Sequence, residues 1–248
     1  NRFKQLLTPR PVRIDRIFEP LPREALELIG PYMESVRLMG LRTAELHLTL
    51  ASTTDRPSFT PEPFTRLYQR ALYQSLRVLA TKTFHLLRRR MDELPKEVHP
   101  DAVVGLDIEN DILDRFKQLL THKIGGMRIR CHGDYRLEQV LFTGKNFVII
   151  DFEGEPEHCV SERKIKRSPV RDVAGMLRSF HYAAYSVLFS LKKMGVWDVT
   201  DENFLESCAD VWYFWVRFTF LKTYLETAEH ADFLPENRRK FEILLNIF

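Results

Sequence analysis

Apolar residues recur at the spacing of an α-helix over most of the chain, which predicts a mainly helical protein. One helix start is well marked, because Ser168 can cap a first turn and Pro169 is tolerated there. Gly195 is typical of a helix end. The predicted helices cover 22–51 with a break near Gly30-Pro31, 64–93, 107–122, 168–195 and 201–229, and a last helix starts near Pro235.

The pattern changes to that of short strands between residues 127 and 153. Residues 128–131 alternate in polarity and predict one strand, and 139–142 and 147–150 predict two more, joined as a hairpin by Thr143-Gly144-Lys145-Asn146. Because 147–150 is apolar throughout, we expect that strand to be buried on both faces. The predicted organisation is helical over 1–124, a hairpin region over 127–156, and helical again over 168–248.

Charge, apolar runs and cysteine content indicate which kinds of partner and which cellular compartment to expect. The chain has 248 residues and a net charge of +3, so nothing in its charge favours nucleic acid or a membrane surface. No apolar run approaches the ~20 residues of a membrane span. The three cysteines are scattered and form no CxxC pair, which predicts free thiols in a cytoplasmic protein.

Polar side chains gather where the predicted hairpin begins and ends. Asp134 lies in a turn after the first strand, Gln139 opens the second strand, and Asp151 closes the third. A hairpin brings its two ends together, so Gln139 and Asp151 should lie side by side with Asp134 facing the same space. Carboxylate and amide oxygens suit Mg²⁺, and a further carboxylate can accept the proton of an attacking hydroxyl. This is the division of labour in phosphoryl transfer from ATP.

Four segments resemble the aminoglycoside-phosphotransferase-like kinases, which are relatives of the protein kinases. Among these kinases, the segments are most similar to the maltokinases, especially those fused behind a trehalose synthase domain. The segments are LRTAELHLTLAS (41–52), HGDYRLEQVL (132–141), VIIDFEGEP (148–156) and RSPVRDVAGMLRSFHYAA (167–184). The resemblance implies an α+β, mainly α fold: the C-terminal lobe of a protein-kinase-like structure, with the small hairpin at its catalytic edge.

The resemblance also implies roles for individual residues. Asp134 corresponds to the catalytic base, and Gln139 and Asp151 correspond to the Mg²⁺ ligands, with Glu153 as a further candidate ligand. Two other residues correspond to structural supports of the catalytic loop: His132 within the loop, and a buried aspartate, Asp172, beneath it. Next to that aspartate, Arg171 is a candidate to pair with a carboxylate.

Two positions depart from the family pattern HGDYHLGQ, in which the second histidine is replaced here by Arg136 and the glycine by Glu138. Arg136 can still point at phosphate, and we count it among the substrate-binding candidates. If the family glycine has a positive φ, Glu138 adds strain of roughly 1 kcal/mol.

An aromatic-rich run at 211–220 is mostly expected in the core. The alternative is a wall on which a sugar ring stacks, for which Trp215 and Tyr224 are the candidates.

The function that the resemblance implies is ATP-dependent phosphorylation of maltose to maltose 1-phosphate, with Mg²⁺, and with a fused trehalose synthase domain as a source of maltose. No strand-rich nucleotide-binding lobe precedes residue 22, and the chain stops at Phe248 within an apolar helical pattern. We therefore expect residues 1–248 to be a fragment that is inactive alone. The alternatives are a kinase for an aminoglycoside, choline or another sugar, or a non-catalytic lobe that binds a sugar or a protein partner.

Overall fold

The computed structural model describes residues 23–52, 55–195 and 202–248. The part of the predicted helical region that covers residues 1–22 lies outside the described residues. Within them, the chain folds into helices and two small sheets, which confirms a mainly α protein. No described helix combines the length and apolar character needed to cross a membrane.

Helices make up most of the described chain. They are α1 (Arg23–Ile29), α2 (Tyr32–Ser52), α3 (Arg66–Arg89), α4 (His99–Asp107), α5 (Glu109–Thr121), α6 (Val160–Arg163), α7 (Val170–Lys193), α8 (Glu202–Thr227) and α9 (Arg238–Ile247). The break between α1 and α2 falls at Gly30, which has φ +62°, as the sequence predicted. Helix α7 begins directly after Pro169, and its start was also predicted correctly.

The core forms where α2 and α7 pack against α8. Met39 of α2, Phe180 of α7 and Phe220 of α8 are all buried in it, and the two phenylalanine rings meet edge to face at 5.6 Å. Gly40 lets α2 approach α8 closely, because a Cβ at this position would lie 2.7 Å from the carbonyl oxygen of Phe220. A glycine inside a helix costs ~1 kcal/mol relative to alanine, and here it permits the contact that fixes α2 beneath the candidate site.

Two antiparallel pairs of strands complete the described structure. Strand β1 (Glu62–Pro63) pairs with β2 (Met127–Arg128), and β3 (Val140–Phe142) pairs with β4 (Phe147–Ile149). The second pair is the predicted hairpin. The predicted strand at 128–131 is shorter than expected, and it continues only as a bridge between Ile129 and Arg167.

One expectation about these elements was wrong, and one helix was not predicted. Strand β4 is not buried on both faces, since Val148 is 47% exposed and the hairpin has only two strands with no layer over its outer side. Helix α4 was not predicted. Its valines, Val103 and Val104, are exposed rather than gathered on a buried face, so the sequence carries no helical apolar stripe there.

Candidate active site

The hairpin places Gln139 beside the segment that carries Asp151. The Ile150 N–H donates to the Gln139 carbonyl oxygen at 3.0 Å, one residue before Asp151. The hairpin turn is tied to α2, because Arg42 Nε donates to Asn146 Oδ1 at 2.7 Å. The predicted neighbourhood of Gln139 and Asp151 therefore follows from strand pairing and is fixed to the helical core.

Asp151 has an unusual backbone. Its φ is 63°, and no other non-glycine residue in the described part of the chain has a positive φ. Aspartate tolerates this region better than most residues, but the conformation still carries strain. Strain of this kind at the end of a strand aims the side chain away from the direction that the strand would give it.

His132 links the loop of Asp134 to the strand before Asp151. The imidazole is buried, and Nε2 lies 2.8 Å from the Ile150 carbonyl oxygen while Nδ1 accepts from the Asp134 N–H at 3.3 Å. Since a carbonyl can only accept, His132 carries its proton on Nε2. Its ring packs between those of Tyr135 and Phe152, at 5.3 and 5.0 Å. His132 thus lies where a support of the catalytic loop was expected.

Asp172 holds the same loop from below. Its carboxylate accepts from the N–H of His132 at 2.8 Å and from the N–H of Gly133 at 3.0 Å, and it lies 3.2 Å from Nε2 of His47. The group is fully buried. Burial alone would raise the pKa of Asp172, but the hydrogen bond and electrostatic attraction of His47, together with the hydrogen bonds from Gly133 and His132, outweigh it and hold that pKa below its usual range.

Asp134 lies above this support and is partly exposed. One guanidinium nitrogen of Arg136 is 3.5 Å from the Asp134 carboxylate, and Arg136 Nε is 3.2 Å from the Glu138 carboxylate. Glu138 has no positive φ, so the strain considered for this position is absent. Its charge instead pairs with Arg136, which lies between two carboxylates.

A cleft of about 1040 Å³ opens at Asp134. Helix α3 contributes Tyr68 and Leu76 to its wall, and α7 contributes Arg178 and Tyr182. The wall combines aromatic, aliphatic and charged groups, and Tyr182 is largely exposed. A volume of this size accommodates a small polar ligand beside the Asp134 carboxylate.

The segment after Asp151 is fixed to α7 at the edge of this cleft. Arg171 donates to Glu155 at 2.8 Å, so its predicted pairing with a carboxylate is confirmed. His158 lies 2.7 Å from Glu155 and 3.3 Å from Glu162. The ion pair between Arg171 and Glu155 thus fixes the segment between the metal candidates and the start of α7.

Gln139 and Asp151 carry donor oxygens of the kind that Mg²⁺ prefers, but Gln139 is buried and neither residue lines the cleft at Asp134. Within the described ranges, neither side chain is engaged by a hydrogen bond or an ion pair. Glu153 is less suited, since it is 82% exposed and faces Arg163 at 3.9 Å. Among described residues no cluster of three or more His, Cys, Asp or Glu side chains could hold a metal. An amide and one carboxylate match the few protein ligands that Mg²⁺ takes when phosphate and water complete its shell.

The two aromatic candidates for sugar stacking are corrected. Tyr224 is fully buried and its hydroxyl lies 2.9 Å from Nδ1 of His47, so it belongs to the core and cannot face a ligand. Trp215 is half-buried against Phe214 and Phe218 of its own helix. Neither Trp215 nor Tyr224 lines the cleft at Asp134.

Sequence reasoning missed two residues of α2 beneath the loop. Thr43 is buried and bonds the Tyr135 hydroxyl at 2.8 Å, and His47, one helical turn later, reaches Asp172. The available signal was a pair of polar residues four apart within LRTAELHLTLAS, which places both on one helix face.

Comparison with known proteins finds glucosamine kinases among the matches. No protein-family model matches the chain. The glucosamine kinase of Mycolicibacterium smegmatis is 29% identical over 157 residues, which are 61% of this chain and 34% of that protein. The chain thus spans about a third of the length of this curated relative.

Solved structures of glucosamine kinase match over most of the chain. One crystal form has a TM-score of 0.63 at 19% identity and covers 88% of this chain and 50% of that one. The complex with glucosamine, ADP and inorganic phosphate has a TM-score of 0.61 at 18% identity, with coverage of 89% and 52%. The described chain therefore shares the fold of the matched half of glucosamine kinase.

Proposed function

We propose that this chain carries the catalytic base and the metal ligands of an ATP-dependent sugar kinase. The single observation that carries the proposal is Asp134 at the mouth of a ligand-sized cleft, on a loop hydrogen-bonded to both Asp172 and the Ile150–Asp151 segment. The kinship with glucosamine kinase, one structure of which contains glucosamine and ADP, supports a sugar and a nucleotide as the two substrates.

In this proposal Asp134 accepts a hydrogen bond from the sugar hydroxyl and takes its proton as the oxygen attacks the terminal phosphoryl group of ATP. Arg136 lies beside the carboxylate and can orient it or meet phosphate oxygens. Glu138 limits the second role, because it draws the same guanidinium toward the exposed side of the loop.

Gln139 and Asp151 would hold Mg²⁺, which neutralises charge on the phosphates when bound. The protein's own contribution is to fix these donors relative to Asp134. The positions of Gln139 and Asp151 relative to Asp134 are set by the hairpin register and by the hydrogen bond from His132 to the Ile150 backbone carbonyl.

Two sugars are the leading acceptors. Glucosamine is favoured by the relatives, since both the sequence and the structural comparisons find glucosamine kinases. Maltose rests on the resemblance of the four motifs alone. Neither sugar is favoured by charge, because the cleft wall presents both Arg178 and Glu155.

ATP turnover by the full-length protein tests the proposal. Glucosamine, maltose, glucose, trehalose and kanamycin would each be offered with Mg²⁺, and Asp134→Asn would serve as the matched variant because it keeps the shape and removes the base. We expect sugar-dependent ADP release that falls by about 10²-fold or more in Asp134→Asn. Turnover with kanamycin but with none of the sugars would indicate that the acceptor is an aminoglycoside and not a sugar. No turnover and no Mg·ATP binding would favour a non-catalytic lobe.

A further inference from the structure

A series of buried hydrogen bonds connects α8 to the catalytic loop. The Tyr224 hydroxyl lies 2.9 Å from Nδ1 of His47, and Nε2 of His47 lies 3.2 Å from Asp172. Asp172 in turn accepts from the N–H groups of His132 and Gly133. The three side chains in this series, Tyr224, His47 and Asp172, are all essentially inaccessible to solvent.

We propose that His47 and Tyr224 are positioning residues of the catalytic loop: the Tyr224 hydroxyl fixes His47 as the neutral tautomer protonated on Nε2, and His47 then holds Asp172 in place beneath His132 and Gly133. Neither residue touches the cleft at Asp134. Their consequence for catalysis rests on the proposed kinase function, whereas the hydrogen-bonded chain itself does not.

The tautomer follows from counting donors and acceptors. A neutral His47 with its proton on Nε2 donates to the Asp172 carboxylate and accepts from the Tyr224 hydroxyl, so every polar hydrogen has an acceptor. A doubly protonated His47 would donate to the Tyr224 oxygen instead. The tyrosine hydrogen would then need another acceptor, and among the described residues the Tyr224 hydroxyl has no hydrogen-bond partner other than His47. An unpaired buried donor is costly.

Tyr224 is suited to this role because it remains a donor. Burial raises the pKa of its phenol well above the usual value, so the hydroxyl keeps its proton over the whole physiological range. The ring also packs edge-on against His47, at 5.6 Å between centroids, and Phe233 covers the imidazole at 6.2 Å. The imidazole therefore has little freedom to rotate and exchange its two nitrogens.

The arrangement also explains why α2 approaches α8 so closely. Gly40 permits the contact with Phe220, and His47 lies two turns further along α2, where it meets Tyr224 of the same helix α8. Thr43, between them, bonds Tyr135 of the catalytic loop. One face of α2 thus contacts both the helix that orients His47 and the loop that His47 supports.

Ring nitrogen NMR and amide exchange test the proposal without any substrate. In the wild-type protein we expect the two ring ¹⁵N shifts of His47 to be widely separated, with the proton on Nε2, and slow exchange at His132 and Gly133. In Tyr224→Phe the two shifts should move toward each other and both amides should exchange about tenfold faster. Tyr73→Phe, at the edge of the core on α3, is the matched control and should change neither.

Conservative variants at position 47 separate positioning from packing. Glutamine can place an N–H near the Nε2 position, so His47→Gln should keep much of the amide protection at His132 and Gly133. Asparagine is too short to do so, and His47→Asn should lose it. Converged ring shifts in the wild type, or unchanged shifts and exchange in Tyr224→Phe, would overturn the proposal.

The kinetic consequence has its own readout. In the full-length protein, Tyr224→Phe should lower kcat while KM for the sugar stays within about twofold, because the altered contact lies beneath the base and not in the cleft. A rise in KM with unchanged kcat would contradict positioning. Absence of sugar kinase activity in the wild type would count against the proposed function only, since the NMR result stands independently of it.

Discussion

His132 Nε2 lies 2.8 Å from the carbonyl oxygen of Ile150, the residue that precedes Asp151. One hydrogen bond thus joins the loop of the candidate base to the strand of the candidate metal ligand. Because Asp172 holds the backbone of the same loop, the base and the ligand form one connected unit. Catalysis by positioning requires that reacting groups be held within fractions of an ångström, and this bond links the two segments directly.

Replacement of Asp172 by alanine should strongly destabilise the protein. The variant leaves the N–H groups of His132 and Gly133 and the Nε2–H of His47 without their acceptor in a fully buried site. Unpaired buried donors cost about 1–3 kcal/mol each, and we expect a loss of about 3 kcal/mol or more in the free energy of unfolding. Urea denaturation measures it. Asp114→Ala, which removes an exposed partner of Lys117, is the control. Equal midpoints for the two variants would contradict the assigned role.

The stabilisation by Asp172 should depend on pH in the acid range only. Its pKa is lower in the folded state than in the unfolded chain, so ionisation of the group favours folding. This contribution is complete above the unfolded pKa of about 3.9 and is lost as pH falls through the folded pKa. The difference in unfolding free energy between the wild type and Asp172→Asn should therefore stay constant from neutral pH down to about pH 5 and shrink below about pH 4. A difference that shrinks already between pH 7 and 5 would assign the effect to a histidine instead.

Two glycines in helices should respond to alanine in opposite ways. A Cβ on Gly175 of α7 would lie 2.8 Å from the Tyr135 carbonyl oxygen, so Gly175→Ala must push the catalytic loop away and lower both stability and activity. A Cβ on Gly105 of α4 would meet nothing within 4 Å. Gly105→Ala should stabilise the protein by up to about 1 kcal/mol, because alanine favours the helix. Thermal unfolding and ATP turnover of both variants check the pair, and a stabilised Gly175→Ala would disprove the close contact.

The sequence predicts the hairpin and its polar ends because both depend on neighbours in the chain. Turn residues, alternation and the spacing from Gln139 to Asp151 are local features, and the strands pair as expected. Two residues beneath the loop, His47 and Tyr224, were missed or misassigned for the opposite reason. His47 and Tyr224 are separated by 177 positions, and no local pattern shows that α2 and α8 bring them together. A buried tyrosine in an aromatic helix is indistinguishable by sequence from one that faces a ligand, and only packing separates the two.

Asp151 should show a conflict between stability and function. Its φ of 63° costs an aspartate more than a glycine, so Asp151→Gly should raise the free energy of unfolding by about 0.5–1 kcal/mol. The same variant removes the candidate metal ligand and should abolish Mg²⁺-dependent ATP turnover. Asp151→Asn separates the two effects, because asparagine tolerates the left-handed region about as well as aspartate but carries no charge. It should leave stability near that of the wild type while activity falls. If Asp151→Gly were instead less stable than the wild type, the carboxylate would be making a stabilising contact, and the strained backbone would not be maintained for metal binding.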